Sequence, residues 1–375
     1  MAKIYLIRHC ESEGNACRRA QAQTDALVTR KGYEQNEMLR RRFESIHIDA
    51  LYSSDAFRSI MTVSPIAKER GLPVKVRLSL REITTGIWED CAWGNIAKDY
   101  PAEHRVWTET PWITTAPGAT TFQQAADRMI FCLRRIAAEV GDGTALVVSH
   151  SCSIKASLCV MQGKPMTQVA EVGHGENTSV SLLEITPDGR IRVEYTNDAS
   201  HLPPRLCRAW GGVAGSDINM VIEPCDLALQ SDVLLQLAEA EHRERGAEFN
   251  CQAYLSAIRE QLEQEPGSVA IAYLKGAAVG FVRLGHDEML PSDCGVLDRY
   301  YVVPALQGQG YGEQLFGYAA HEMRYAGKTR LALREDCSAE ERRALERFTF
   351  HKMNGYPEYE ELDLYSPPCP YPILA

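Results

Sequence analysis

The first half of the chain alternates short apolar runs with helical patterns, and this alternation restricts the fold more than any other feature. Apolar runs at residues 3–7, 50–53 and 145–148 have the length of buried strands. Amphipathic patterns at residues 58–70 and 122–140 lie between them and predict helices. A repeated strand–helix order is typical of a sheet that helices cover on both faces. The sequence therefore predicts a three-layer α/β/α domain.

The second half is organised differently. Around residues 196–217, Pro203-Pro204 and several glycines interrupt the periodicity, which is typical of a linker. Strand candidates and helices are then interspersed, which favours a mixed α+β fold. We therefore predict a first domain over residues 1–196, a linker over 197–216 and a second domain over 217–375. The predicted elements of the second domain are helices at 227–245, 251–265, up to about 325 and from 339, and strands at 269–274, 278–284, 297–303, 329–334 and 359–365.

Composition excludes several classes of protein. The formal net charge of -10 disfavours nucleic-acid binding, which requires a basic surface. No apolar stretch reaches the roughly 20 residues of a membrane helix, and Arg8 comes too early for a signal-peptide core. Twelve cysteines occur without paired spacing, which favours free thiols in a reducing cytoplasm over metal ligands or disulfides. We expect a cytoplasmic protein without a metal, a membrane or a nucleic-acid partner.

Charged side chains follow the apolar runs of the first half. Arg8 and His9 come directly after the first run, and His150 comes directly after the run at 145–148. Ligands of open parallel sheets bind outside the carboxyl ends of the strands. Arg58 begins a helix after another strand, and Ser54 or Asp55 is a candidate cap for that helix. We therefore expect these side chains to share one crevice.

Two histidines and two arginines suit phosphate chemistry. A guanidinium presents a planar fork of donors to phosphate oxygens. An imidazole can attack phosphorus and form a covalent phosphohistidine. The leaving oxygen then needs a proton, for which Glu82 is the candidate donor.

The same residues belong to an ordered set of motifs. The segment Arg8-His9-Cys10-Glu11-Ser12-Glu13-Gly14-Asn15 resembles the R-H-G-E-[ST]-x-x-N signature of the histidine phosphatase (phosphoglycerate-mutase-like) superfamily. Further along the chain, residues 27–32, 52–58, 82–89 and 147–150 resemble that family's later motifs in the same order. The resemblance covers about residues 1–195 and implies a phosphoglycerate-mutase-like fold.

The resemblance implies a role for each matching residue. His9 is the expected nucleophile, and Glu82 is the expected general acid and later base. Phosphate is expected to bind to Arg8, Asn15, Arg58 and His150. The sequence departs from the family where Cys10 replaces the usual glycine, and a Cβ there is expected to crowd the close backbone approach that glycine permits.

Phosphatases and mutases share these motifs. The segment from Trp88 to Gly118 lacks the longer basic insertion of the family's mutases and resembles its small-molecule phosphatases, although the usual Glu after Pro117-Gly118 is missing. This favours a phosphatase acting on a small phosphorylated metabolite. A phosphoglycerate-type mutase is the alternative. Four tryptophans in or beside this segment, at 88, 93, 107 and 112, line the pocket mouth or, as we favour, pack in the core and lid.

A glycine loop marks the second domain. A strand ending at Val303 and Pro304 precedes the loop, and a helix with an apolar stripe follows it. Glycines at a helix start let backbone amides approach a pyrophosphate. The loop consists of Gln307, Gly308, Gln309, Gly310, Tyr311 and Gly312.

This loop resembles the [QR]-x-x-G-x-[GA] motif of the GNAT N-acetyltransferase family, through Gln307, Gly310 and Gly312. The segment 350–356 resembles that family's F-Y-x-x-x-G-F pattern, with His351 in place of the tyrosine. The resemblance implies that acetyl-CoA binds with its pyrophosphate on residues 307–312 and its pantetheine arm beside Val302 and Val303. His351 is then a candidate proton donor to the departing thiolate or a structural residue.

Together these patterns predict a bifunctional enzyme. One domain is expected to hydrolyse a phosphomonoester through His9, and the other to transfer acetyl from acetyl-CoA to an amine. The alternative is that one of the domains acts only as a binding or regulatory module.

Overall fold

A computed structural model of the protein contains two separate β-sheets, one built mainly from each half of the chain. The structure describes residues 1–113, 116–207, 218–334, 337, 341–342, 345–367 and 373–374. Most of the predicted linker, residues 208–216, lies outside these ranges, as does residue 217. Within them, no helix is long and apolar enough to cross a membrane.

The first sheet has the strand order β14-β3-β2-β4-β1-β5-β6. Strands β14, β3, β2, β4 and β1 run parallel, while β5 and β6 are antiparallel to their neighbours. The carboxyl ends of β1 and β4 are therefore adjacent, with Arg8 opposite Ser149. The strands are β1 (Ala2–Arg8), β2 (Ala50–Ser53), β3 (Val74–Val76), β4 (Thr144–Ser149), β5 (Val180–Ile185), β6 (Ile191–Asp198) and β14 (Ile373–Leu374).

Helices cover both faces of this sheet, which confirms the predicted three-layer α/β/α architecture. The longest, α6, is capped by Thr121 and Gln124 in a capping box and buries its apolar stripe from Phe122 to Ala137. The helices are α1 (Glu13–Ala16), α2 (Arg30–Arg42), α3 (Phe57–Arg70), α4 (Trp93–Asp99), α5 (Pro101–Glu109), α6 (Phe122–Val140) and α7 (Ser151–Met161).

The second sheet has the order β12-β13-β11-β10-β9-β8-β7 and is mostly antiparallel, as expected for a mixed α+β domain. The two central strands β10 and β11 are parallel. The strands are β7 (Val221–Pro224), β8 (Val269–Leu274), β9 (Ala277–Gly285), β10 (Cys294–Val302), β11 (Arg330–Arg334), β12 (His351–Lys352) and β13 (Tyr359–Asp363), and the helices are α8 (Leu227–Glu244), α9 (Cys251–Gln264) and α10 (Tyr311–Tyr325).

The central strands of the second sheet separate along their length. β10 pairs with β11 only from Cys294 to Leu297, whereas its pairing with β9 continues to Val302. The register of β10 against β9 also shifts between Leu297 and Arg299. Beyond Leu297, β10 does not pair with β11, and the Tyr300 amide donates instead to the Glu341 side chain at 3.3 Å.

The two domains share a junction rather than a simple linker. Ala16, Cys17 and Leu27 of the first domain belong to the same apolar cluster as Phe316 and Ala320 of α10. The last described strand, β14, also returns to pair with β3 of the first sheet. The chain therefore crosses between the domains more than once.

At one point of this junction, α4 lies directly against the start of the second sheet. The Asn95 side chain donates to the Ile222 carbonyl at 2.8 Å and accepts from the Ile222 amide at 3.0 Å. Beside it, a Cβ at Gly94 would lie 2.0 Å from the Met220 carbonyl oxygen. Glycine is required at position 94 because two backbones meet there.

We expect Gly94→Ala to destabilise the protein by about 1–3 kcal/mol through overpacking, although alanine favours a helix by about 1 kcal/mol. Chemical denaturation measures the loss. The control is Gly173→Ala, because a Cβ at Gly173 meets nothing within 4 Å. Equal free energies of unfolding for the two variants would show that the α4 contact is not tight.

Candidate active sites

The candidate site of the first domain lies where β1 and β4 end. The His9 amide donates to the Ser149 carbonyl at 3.0 Å, and the centres of the His9 and His150 rings are 5.1 Å apart. His150 is the N-cap of α7. The parallel pairing of two strands distant in sequence thus brings both predicted histidines together.

The His9 side chain is oriented by its own backbone. Its Nδ1 lies 2.7 Å from the Cys10 carbonyl oxygen. A carbonyl can only accept, so Nδ1 carries the proton and Nε2 keeps its lone pair. Burial lowers the pKa of His9 well below its usual value, and the nearby Arg58 and Arg8 lower it further. The imidazole is therefore neutral at pH 7, as a nucleophile must be.

Arg58 lies at the start of α3, fully buried. Its guanidinium donates to the carbonyls of Thr24 at 3.0 Å and Ala22 at 2.9 Å, and lies 3.3 Å from His150 Nδ1. Its Nε is buried without a hydrogen-bond partner among the described residues. These contacts fix the guanidinium beside both histidines.

The cap of α3 differs from the sequence-based expectation. Neither Ser54 nor Asp55 caps the helix, because Asp25 accepts from the Phe57 amide through both carboxylate oxygens at 3.0 Å. Ser54 instead lies 2.8 Å from His150 Nε2, and Asp55 forms an ion pair with Arg81.

Asn15 and Arg8 border the same site, and a residue missed in the sequence connects them to His9. Asn177 donates to the His9 carbonyl at 2.9 Å and to Asn15 Oδ1 at 3.1 Å. Arg8 donates to the Gly175 carbonyl at 2.6 Å, in the same loop. This loop precedes β5 and has no motif that could have identified it.

Cys10 is accommodated without blocking the site. Its amide donates to Thr62 Oγ1 at 2.9 Å, and its side chain packs in a small apolar cluster with Val28 and Phe57. Burial raises the pKa of the thiol to about 11, so it stays protonated. The Cys10 side chain thus lies in this cluster, and the crowding of a ligand at this position stays a prediction.

Glu82 lies at the N-terminus of α7. One carboxylate oxygen accepts from the Ile83 amide at 2.9 Å and from the amide and hydroxyl of Ser153 at 2.8 and 3.0 Å. The other accepts from the Cys152 amide at 2.9 Å. These donors fix the position of the carboxylate at the start of α7. The second oxygen accepts from one amide only and keeps a second lone pair.

A cleft of about 530 Å³, here called the main cleft, opens beside Arg8 and Asn15. Trp93 and Trp107 form part of its wall, with ring centres 6.0 Å apart, whereas Trp88 is buried. Lys155 of α7 also lines the cleft, and so does Arg347 of the second domain. The second domain thus contributes directly to the boundary of the first domain's site.

Arg347 reaches this boundary through a buried ion pair. It donates to both carboxylate oxygens of Glu11 at 3.0 and 2.8 Å, and to Glu313 at 3.0 Å. Burial alone would raise the pKa of Glu11, but Arg347 and Lys31 hold it below its usual value. No short sequence pattern links Glu11 to a residue 336 positions later.

The second candidate site is the loop before α10. Gly308 and Gly310 have φ angles of 70° and 88°, a region that favours glycine, and Gly310 is the N-cap of α10. Gln307 donates to the Val302 carbonyl at 2.9 Å and to Glu244 at 3.2 Å. The predicted residues 307–312 therefore form a compact turn at the N-terminus of a 15-residue helix.

The other residues predicted for this site lie in different parts of the second domain. The Val303 amide donates to Val279 of β9 at 2.9 Å, so it faces away from the separated edge of β10. His351 lies half-exposed on the edge strand β12, 3.6 Å from Glu361, and lines a junction cavity of about 180 Å³ with Val28 and Tyr33. The structure thus places His351 at the junction.

No group of three or more His, Cys, Asp or Glu side chains within the described ranges is arranged to hold a metal ion.

The pKa directions of the two histidines predict how stability depends on pH. Burial lowers the pKa of His150, as it does for His9, so both take up protons more readily when the chain unfolds. Stability is therefore full above the unfolded pKa of about 6.5 and falls as the pH decreases, by up to about 1.4 kcal/mol per pH unit for each histidine. We expect His150→Gln to flatten the dependence of the unfolding free energy between pH 7 and 5. The exposed His47→Ala serves as control, and an unchanged slope in His150→Gln would contradict the prediction.

Comparison with known proteins identifies both domains. Residues 4–199 match the model of the histidine phosphatase superfamily (branch 1), and residues 234–352 match that of the acetyltransferase (GNAT) family. Phosphoserine phosphatase 1 of Hydrogenobacter thermophilus is 28% identical over 185 residues, covering 49% of this chain and 87% of its own. A probable phosphoglycerate mutase GpmB of Salmonella typhi is 27% identical over 206 residues, covering 54% and 95%.

A solved structure supports the same assignment. The Bacillus stearothermophilus protein YhfR superimposes with a TM-score of 0.52 and 25% identity, covering 54% of this chain and 99% of its own. The sequence-based recognition of the two families and of their folds is confirmed. The chain belongs to the histidine phosphatase superfamily (branch 1) and carries a GNAT acetyltransferase domain behind its phosphatase-type domain.

Proposed function

We propose that the first domain hydrolyses a phosphomonoester through a phosphohistidine on His9. The observation that carries this proposal is the neutral His9 imidazole, with its proton fixed on Nδ1 by the Cys10 carbonyl and its Nε2 lone pair available. Arg58, with a buried Nε that lacks a partner, offers donors to the phosphoryl oxygens. Arg8, Asn15 and His150 complete the proposed phosphate site.

The reaction then has two steps. His9 Nε2 attacks phosphorus, the bond to the ester oxygen breaks, and the leaving alkoxide takes a proton from Glu82. Water next attacks the phosphohistidine, Glu82 accepts the proton, and phosphate departs as the N–P bond breaks. Before the first step Glu82 must carry the proton, for which the oxygen that accepts only from the Cys152 amide has a second lone pair.

Hydrolysis is proposed over phosphate exchange because the segment after Glu82 is short. Among the described residues it forms the helices α4 and α5 before α6 begins, and Trp93 and Trp107 of this segment line the main cleft. The relatives include both a phosphoserine phosphatase and a probable mutase, so product analysis decides. A mutase would return the phosphate to a second hydroxyl of the substrate and release little of it.

We also propose that the second domain transfers acetyl from acetyl-CoA to an amine. The glycine turn at residues 307–312 suits the pyrophosphate, and the separated edge of β10 suits the pantetheine arm. When bound, acetyl-CoA supplies an activated thioester. The chain's part is to hold the cofactor along β10 and α10 and to present the acceptor amine. The role of His351 as proton donor remains a prediction from the resemblance.

For the first domain, His9→Ala is expected to lower kcat by about 10³–10⁶-fold and to abolish acid-labile phosphate incorporation. Glu82→Gln is expected to lower kcat by about 10²–10⁴-fold for alkyl phosphates but much less for p-nitrophenyl phosphate, whose leaving group needs no proton. His47→Ala is the matched control. Unchanged phosphate release by His9→Ala would exclude His9 as nucleophile.

For the second domain, Gly310→Ala is expected to raise the Kd for acetyl-CoA about tenfold or more, because alanine resists the left-handed backbone of the turn. Calorimetry measures the Kd. Gly327→Ala is the matched control, since Gly327 has a φ of 74° just beyond the opposite end of α10 and its Cβ would meet nothing within 4 Å. Equal Kd values in both variants would contradict a pyrophosphate site at the turn.

A further inference from the structure

A lysine that takes no part in the proposed phosphate chemistry lines the main cleft. Lys155 is 8% exposed and lies on α7, whose N-cap is His150. Its Nζ is 3.3 Å from His174 Nε2, and His174 Nδ1 is 2.8 Å from Ser151 Oγ. All three side chains border the cleft. The His174–Ser151 contact orients the imidazole ring that Lys155 contacts.

Lys155 differs from two arginines of the cleft, Arg19 and Arg347, because no carboxylate neutralises it. Arg19 forms an ion pair with Asp90, and Arg347 pairs with Glu11 and Glu313. Across the described ranges, by contrast, no carboxylate oxygen lies within 4.0 Å of Lys155 Nζ. Burial lowers the pKa of this amine, and the nearby thiols of Cys152 and Cys159 oppose that shift. A buried ammonium without a counter-charge is costly, unless a ligand supplies the charge.

The helix sets the distance between this ammonium and the phosphate site. Lys155 follows His150 by five residues, which corresponds to about 7.5 Å along a helix axis. Ser151, Cys152 and Lys155 lie on one face of α7, because residues three and four apart are neighbours. The cleft thus extends from the phosphate site along α7 to Lys155.

We propose that Lys155 binds a second anionic group of the substrate, a carboxylate or a second phosphate, while the first phosphate lies against Arg8 and Arg58. The proposal rests on the proposed phosphatase function and names its substrate class: a small phosphomonoester with a second negative charge a few bonds from the ester. The apolar part between the two anions lies against the wall formed by Trp93, Trp107 and Phe122.

The size of the effect follows from the contact. A hydrogen bond between a buried ammonium and an anion discriminates strongly against a neutral analogue, because the analogue leaves the ammonium unpaired. Removal of the charge from the protein is expected to cost little stability, since an apolar side chain of similar length replaces an uncompensated ion.

The test compares pairs of phosphomonoesters that differ in one anion. Phosphoserine is compared with phosphoethanolamine, 3-phosphoglycerate with glycerol 3-phosphate, and fructose 1,6-bisphosphate with fructose 6-phosphate. The first two pairs test a carboxylate and the third tests a second phosphate.

For wild type we expect kcat/KM to favour the member that carries the second anionic group in at least one pair, by about 10–100-fold. Lys155→Met should abolish this preference with little change in kcat/KM for the member that lacks the second anionic group. Lys155→Arg should restore much of the preference. Lys164→Met, an exposed lysine beyond the end of α7, is the control.

Binding measurements separate the two proposals. Calorimetry with the same compounds in a His9→Ala background reports affinity without turnover. If Lys155→Met removes the preference in binding while the wild-type protein hydrolyses none of the compounds, the anion site is supported and the phosphatase proposal is overturned. Turnover with equal loss for both members of every pair in Lys155→Met, or with no preference in wild type, overturns the anion site. If no compound binds or reacts, both proposals fail.

Discussion

Two buried ion pairs hold the catalytic signature of the first domain against the second domain. Glu11 pairs with Arg347, and Glu13 pairs with Arg324 at 2.7 and 2.8 Å through both oxygens. All four side chains are largely buried, so loss of one partner leaves an uncompensated charge at a cost of about 3–5 kcal/mol. The backbone of Glu11 adjoins the Cys10 carbonyl that orients His9. The geometry around His9 therefore depends on arginines that lie more than 300 residues away in sequence.

The same junction contains an apolar component that makes the dependence mutual. Cys17 packs against α10 so closely that a Cβ at Gly317 would lie 2.5 Å from the Cys17 Cβ. α10 begins at the glycine turn proposed for acetyl-CoA, and Arg324 lies in its last turn. One rigid helix thus connects the turn of the second domain to Glu13 of the first. A rearrangement of either site that moved this helix would have to break a buried ion pair.

Site residues that directly follow strands could be predicted from the sequence. Site residues that meet only through tertiary structure could not. Arg8, His9 and His150 could be grouped because the carboxyl ends of parallel strands lie at one edge of a sheet. Asn177 and His174 could not, since they lie in a loop before an antiparallel strand and have no motif of their own. The prediction of the residue that caps α3 was wrong for a similar reason. Local proximity favoured Ser54 or Asp55, but the first is used by His150 and the second by Arg81, which leaves Asp25 to cap the helix.

The chain as a whole is negatively charged, whereas its main cleft is positively charged. The pairing of the charged side chains explains this difference. The chain carries 50 acidic and 40 basic side chains, yet arginines and Lys155 border the main cleft. Glu11, which lines this cleft, pairs with Arg347, Asp90 pairs with Arg19, and Glu82 accepts from the amides of α7. The Arg58 guanidinium lies beside His150 while donating to the carbonyls of Thr24 and Ala22, and Lys155 contacts His174. The local arrangement of paired and unpaired charges, more than the net charge of the chain, therefore sets the electrostatic potential in the cleft.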